Sequence, residues 1–271
     1  MSDIVLSAGV RSNLLQLQQT SDLITQTQNR LATGRRVNSA LDNPINYFTA
    51  QNLSSRANDL NALLDSMSTA INTIQAANNG ITAITKLVQS AQSIVTQAQQ
   101  TSDTAIRATL ASQFDSIRTQ IDQLAQDSGI NGINLLNGNN LTVTMNESGS
   151  STVVINGVDD LSNGALAINA STNNWSGSAD LTAAATQLTA ALTTLRSQSQ
   201  ALSSNLQTVQ VRQDFTKSMI NTLQTGADNL TLADSNEEGA NLLALQTRQQ
   251  LSTTALSLAA QADQNVLRLF Q

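Results

Sequence analysis

Apolar residues recur along both ends of the chain at alternating steps of four and three, the spacing of one helical face. Near the N-terminus these positions are Val10, Leu14, Leu17, Ser21, Ile24, Gln28 and Leu31, a stripe with polar residues at two seam positions. Gly34 suits the end of that helix, and Arg35-Arg36-Val37-Asn38-Ser39 reads as a connector. Asn43-Pro44 marks a boundary, because the residue before a proline avoids helical geometry. A longer helix follows on Leu53, Ala57, Leu60, Leu64, Met67, Ile71, Ile74, Asn78 and Ile81, and the stripe resumes at Ile84, Val88, Ala91, Val95 and Ala98. The two three-residue steps between Asn78 and Ile84 predict a local change of winding. Gly80 lies inside that break and predicts a weak point.

A third helix is predicted from Ile106, Leu110, Phe114, Ile117, Ile121 and Leu124, with Thr101 or Asp103 to cap its start. Beyond Gly129 the pattern changes. Leu141–Met145 and Thr152–Ile155 are short β-type runs separated by Asn146–Ser151, which predicts a hairpin. Residues 156–179 are rich in Gly, Ser, Asn and Asp, hold the only tryptophan (Trp175), and read as loop.

The longest register comes next. Leu181, Ala185, Leu188, Leu192, Leu195, Ser199, Leu202, Leu206, Val209, Gln213, Thr216, Ile220 and Leu223 keep the heptad spacing, with no proline or glycine before Gly226. A helix over about 180–225 would be roughly 70 Å long, which requires partners along its length. The last segment carries Leu242, Leu245, Gln249, Ser252, Leu256, Ala259, Asp263, Val266 and Phe270 on one stripe, with Leu243, Leu251, Ala255, Leu258, Ala262 and Leu269 beside it. That face is wider than a two-helix seam needs. Further copies of the chain would cover it. The expected fold is therefore mainly α: a long antiparallel helical coiled-coil rod with paired N- and C-terminal helices and a small β-hairpin and loop insertion.

Composition narrows the chemistry. Aromatics are 2% of residues while hydrophobics are 40%, so the apolar content is aliphatic and suits helices packed side by side. With no histidine and no cysteine, the usual general base, the commonest metal ligand and the thiol nucleophile are missing. No nucleophile–base motif or phosphate-binding glycine loop appears, so neither an enzyme nor a cofactor is expected. A net charge of −6 disfavours nucleic acid. No apolar run reaches the length of a membrane span, and the N-terminus lacks the basic and apolar regions of a secretory signal. Arg35 and Arg36 read as a solvated or inter-subunit contact. The acidic residues from Asp234 to Glu238 read as opposing the dipole of the following helix. Pairing of Asp42 or Asp234 with the arginines is left open by the sequence.

Two segments at opposite ends resemble bacterial flagellins. Leu31-Ala-Thr-Gly-Arg-Arg-Val-Asn-Ser-Ala40, followed by Leu41-Asp-Asn-Pro44, looks like the family's N-terminal segment of that form. Asp234-Ser-Asn-Glu-Glu238 and the closing Ala262-Asp-Gln-Asn-Val-Leu-Arg-Leu-Phe270 are similar to its C-terminal pattern. The resemblance implies that residues 1–43 pair with 232–271 as an inner coiled-coil polymerisation domain. Residues 44–231 would then be a helical bundle with a hairpin near 141–155 and a loop at 156–179, without the large outer domains of longer members.

It implies an exported structural subunit that polymerises into the extracellular flagellar filament for motility. Its partners would be itself, the hook–filament junction and filament cap proteins, the export apparatus and an export chaperone. The self-assembly residues would be Val10, Leu14, Leu17, Ile24 and Leu31 with Leu242, Leu245, Leu256, Ala259, Val266, Leu269 and Phe270. Gly34, Arg35, Arg36, Asn38, Asp42 and Asp234 would form the connector. The stretch that a Toll-like receptor reads in some members is Gln89-Ser-Ala-Gln-Ser93 here, and Gln113 stands for a glutamate, which implies weak recognition. A hook–filament junction protein and a soluble coiled-coil adaptor or secreted effector are the alternatives.

Overall fold

The computed structural model describes residues 8–269, and at residues 263 and 266–269 it describes the backbone alone. Its helices are α1 (Ala8–Thr33), α2 (Pro44–Gln99), α3 (Thr104–Asp127), α4 (Ser178–Thr231) and α5 (Ser235–Leu269), with strands β1 (Leu141–Thr144) and β2 (Thr152–Ile155) between α3 and α4. The chain forms two compact units, Met1–Ser55 with Thr222–Gln271, and Arg56–Asn221.

In the middle unit α2 and α4 run antiparallel. Asn78 lies against Ser199 at 3.5 Å and Ser68 against Gln213 at 2.9 Å, so descending one helix ascends the other. The buried stripe of α2 is Met67, Ala70, Ile74, Ala77, Ile81, Ile84, Val88, Ala91, Val95 and Ala98. That is an unbroken three–four alternation, so the predicted phase break at 78–84 is absent. Ala70 and Ala77, not Ile71 and Asn78, hold the seam, because small side chains let neighbouring elements approach.

Gly80 is likewise no weak point. A Cβ there would lie 2.3 Å from Ser128 Oγ and 2.7 Å from Leu136 Cδ1, so the glycine makes room for the turn that follows α3. Its helical cost of about 1 kcal/mol relative to alanine is offset by that packing. Ile106, predicted on the α3 stripe, is 49% exposed; Leu110, Ala111, Phe114, Ile121 and Ala125 form the buried face. Asp103 caps α3, accepting from the Ala105 N–H at 2.8 Å.

The hairpin has the predicted strands, paired antiparallel with Leu141 opposite Ile155. The predicted loop 156–179 contains one 3-10 turn, Asn173–Trp175, and is otherwise irregular up to Gly177; Ser178 and Ala179 already belong to α4. It is nonetheless packed: Asp160, Ser162, Leu166, Ile168 and Trp175 are buried, and Trp175 sits 5.1 Å from Phe114. Two carboxylates of α3 hold its backbone. Asp115 accepts from the Ser171 N–H at 2.9 Å and from its hydroxyl at 2.6 Å, and Asp122 accepts from the Ser162 hydroxyl at 2.9 Å.

α4 does not stop at Gly226 but continues to Thr231. A Cβ at 226 would lie 3.4 Å from Leu53 Cδ1, ordinary contact distance, so packing within the chain-end unit does not require a glycine there. Among the described residues no helix is long and apolar enough to cross a membrane.

Candidate functional site

The candidate site is the pair of chain ends with the connectors that join them to the long helices. α1 ends because Gly34 takes φ of +66°, a left-handed conformation open to glycine at little cost. The chain then turns into a short extended run. Arg35 pairs with Leu232 as an isolated antiparallel bridge. The N–H groups of Arg36 and Val37 both donate to the Thr231 carbonyl, at 2.7 and 3.2 Å, and the Ala233 N–H donates to the Gly34 carbonyl at 3.1 Å. The two connectors are thus tied by backbone, with Val37 buried beneath them at 4% exposure.

Of the acidic connector residues, Asp42 closes the turn between α1 and α2 and Asp234 caps a helix; neither pairs with Arg35 or Arg36. Asp42 accepts from the backbone N–H of Ser39 at 2.9 Å and of Asn38 at 3.0 Å, and from the Ser39 hydroxyl at 3.2 Å. These donors, the Ser39 N–H foremost, hold its carboxyl below the usual carboxylate range. The Asn38 side chain donates to the Arg35 carbonyl at 3.2 Å. Asn43 caps α2 by accepting from the Asn46 N–H at 3.0 Å, with Pro44 in the first helical position, where a missing N–H costs nothing. Asp234 caps α5, accepting from the Asn236 N–H at 2.8 Å. Glu237 and Glu238 occupy the first turn, where they oppose the helix dipole.

Glu238 has a second role that the sequence did not reveal. Its carboxylate receives Arg30 Nη1 at 3.0 Å across α1 and α5, and its side chain is only 8% exposed. The pair sets the register of the two terminal helices, which then run antiparallel: Leu23 and Gln26 share a surface cleft with Leu245 and Arg248 further along. A groove of about 580 Å³ lies on the other flank of α1, between Asp22, Gln26 and Arg30 and the connector residues Arg36 and Asp42.

The predicted assembly residues differ in burial. Val10 and Ile24 are buried; Leu17, Leu31, Leu242, Leu245, Leu256 and Ala259 are half-buried; Leu14 is 38% exposed. The side chains of Val266 and Leu269, and all of Phe270, lie outside the described residues. On α1 the buried seam also uses Thr20 and Thr27, one residue before the Ser21 and Gln28 that spacing suggested. Thr20 returns its hydroxyl to the Gln16 carbonyl at 2.8 Å, so its methyl is buried without an unsatisfied polar group. Outside the seam, Leu15 and Leu23 on α1 and Leu243, Leu251 and Leu258 on α5 are 44–67% exposed. At steps of seven and eight, each set shares one broad face of its helix.

Comparison with known proteins gives the family of the chain. The family model for the bacterial flagellin N-terminal helical region matches residues 8–141. Flagellin FljM of Caulobacter vibrioides is 32% identical over 274 residues, covering all of this chain and 99% of the relative. A flagellin of Brucella melitensis is 27% identical over 286 residues, covering the whole of both. A crystal structure of Bacillus cereus flagellin, 16% identical, aligns over 64% of this chain and 93% of its own with a TM-score of 0.40. Matched from end to end by the Caulobacter and Brucella flagellins, the chain belongs to the bacterial flagellin family, whose members are non-enzymatic structural subunits of the flagellar filament.

Proposed function

We propose that the paired chain ends, residues 1–43 with 232–271, are the polymerisation domain, that residues 44–231 are the helical bundle domain, and that neighbouring copies cover the exposed leucines of α1 and α5. The observation that carries this is the exposure of Leu243, Leu251 and Leu258 at 67, 67 and 62% on a helix whose opposite side is already packed on α1. Fully burying a leucine contributes about 1.5–3 kcal/mol, so the six exposed leucines among the described residues of the two helices, Leu14 included, are a substantial drive to associate. Export through the flagellar secretion channel, a chaperone on the C-terminal helix, and contacts with the hook–filament junction and filament cap proteins complete the reading. They rest on the family and on the apolar face that a chaperone would shield before assembly.

The test is a pair of substitutions, Leu251→Glu and Leu258→Glu. Both side chains already face solvent in the single chain, so the helical circular dichroism of the monomer should stay as it is. Filament growth after salting out should be lost, because each carboxylate would have to be buried at a subunit contact. Normal filaments in negative-stain images would overturn the proposal. Truncation from Ala262 should likewise leave residues 56–221 folded and abolish filaments.

A further inference from the structure

A buried carboxylate in the middle unit is not among the candidate assembly residues. Asp160 is fully buried, at 0% exposure, in the irregular segment after the hairpin. Its backbone N–H donates to the Leu136 carbonyl at 2.8 Å, and two residues earlier the Val158 N–H donates to the Leu135 carbonyl at 2.7 Å. Its Oδ1 accepts from Gln198 Nε2 of α4 at 2.7 Å. Among the described residues, its Oδ2 and the Gln198 Oε1 are both buried and lack a hydrogen-bond partner. Both orphans are acceptors, and they belong to the two groups already joined by one bond. The pair is short of a single hydrogen. A small cavity of about 70 Å³ beside them is lined by Ile81, Leu135, Leu136, Val158, Ala201 and Leu202, all apolar, and by amides.

We propose that Asp160 is a proton-operated latch: as a neutral acid its Oδ2–H donates to Gln198 Oε1, closing a two-hydrogen-bond ring that holds the 156–162 stretch on α4, and ionisation opens it. An acid and a primary amide are complementary in this way, each giving one hydrogen and taking one. A carboxylate has no hydrogen to give and leaves Gln198 Oε1 unmatched in an apolar setting, which carries the full desolvation penalty. Burial pushes the Asp160 carboxyl up to about 6, opposed by the Gln198 bond and assisted by the neighbouring negative charge of Asp159. The other charged groups near this stretch are Asp122 and Arg118 of α3, both engaged with Ser162. From α2 and α4 the cavity is faced by Ile81, Gln198, Ala201, Leu202 and Asn205, none of which titrates.

The sign follows from proton linkage. The folded chain holds the Asp160 proton to higher pH than the unfolded chain, whose carboxyl titrates near 3.8. Stability from the latch is therefore fully present below that value and is lost as pH rises through about 6.

The test uses the full-length monomer and Trp175, the single tryptophan, as a fluorescence reporter of urea unfolding. Between pH 4.5 and 8 the folding constant of the natural chain should fall roughly thirtyfold more than that of Asp160→Asn, whose amide keeps the ring at every pH. Parallel pH profiles for the two proteins would overturn the latch. Should Asp160→Asn fail to fold, the carboxyl carbon of Asp160, followed by 13C NMR in the natural chain, decides the matter. A midpoint near 6 supports the latch. A midpoint in the ordinary carboxylate range, as expected if a water satisfied both oxygens, overturns it.

Discussion

At the scale of single residues, the side chains that matter most are those whose neighbours leave no slack. Gly80 is the sharpest case. Gly80→Ala gains about 1 kcal/mol of helix propensity, yet the new methyl would overlap Ser128 and Leu136. Overpacking of this kind costs about 1–3 kcal/mol, so the net change should be destabilising. Urea unfolding followed by Trp175 fluorescence checks it, and a more stable variant would refute the packing account. Arg30 is the second case. Arg30→Ala strands a Glu238 carboxylate whose side chain is 8% exposed, a loss of about 1–3 kcal/mol in the chain-end unit. Glu238→Gln should cost less, because the amide oxygen still accepts from the guanidinium. Thermal unfolding followed by circular dichroism at 222 nm ranks the two, and equal losses would contradict the hydrogen-bond role.

At the scale of elements, caps and connectors decide where the helices stop. Asp103→Ala should loosen the start of α3 by about 1 kcal/mol, seen as faster amide exchange at Ala105 and Ile106. The connector between α1 and α2 depends on an ionised Asp42. With its folded pKa lowered by the Ser39 and Asn38 N–H groups, its contribution is present above 3.8 and is lost as pH falls below that value. Acid should therefore loosen the connector of the chain-end unit while the Asp160 carboxyl, shifted the other way, tightens the middle unit. Amide exchange of Asn38 and Ser39 between pH 5 and 3, corrected for its intrinsic pH dependence, tests the first half. Unchanged protection would refute it.

Most element boundaries were legible from the sequence, because caps such as Asp103, Asn43 and Asp234 and the turn at Gly34 have local chemistry that spacing exposes. The seam was less legible. Thr20 and Thr27, and Ala70 and Ala77, sit one residue from the positions chosen by four–three spacing, since a methyl on a threonine or an alanine carries a weak apolar signal. The purpose of Gly80 and the Arg30–Glu238 pair lay beyond reach, because their partners are 48 or more residues away in the chain. Of the candidate site, the breadth of the α5 face was visible in Leu243, Leu251 and Leu258; which of its leucines pack on α1 was not, since helical spacing alone does not say where a partner stops.

At the scale of the whole molecule, the two units have different sources of stability. Residues 56–221 enclose an apolar core from Met67 to Val209 that includes Phe114 and Trp175. The chain ends share a narrow seam and leave leucines in solvent on both helices. A subunit of this kind should respond to assembly unevenly, with the ends gaining protection and the core changing little. The most direct measurement is amide hydrogen exchange, by mass spectrometry, on the monomer and on the assembled filament. If neighbouring copies cover the exposed leucines, exchange in residues 8–33 and 235–265 slows by at least tenfold on assembly while that of residues 67–98 barely changes. Equal exchange of the chain ends in monomer and filament would contradict the account.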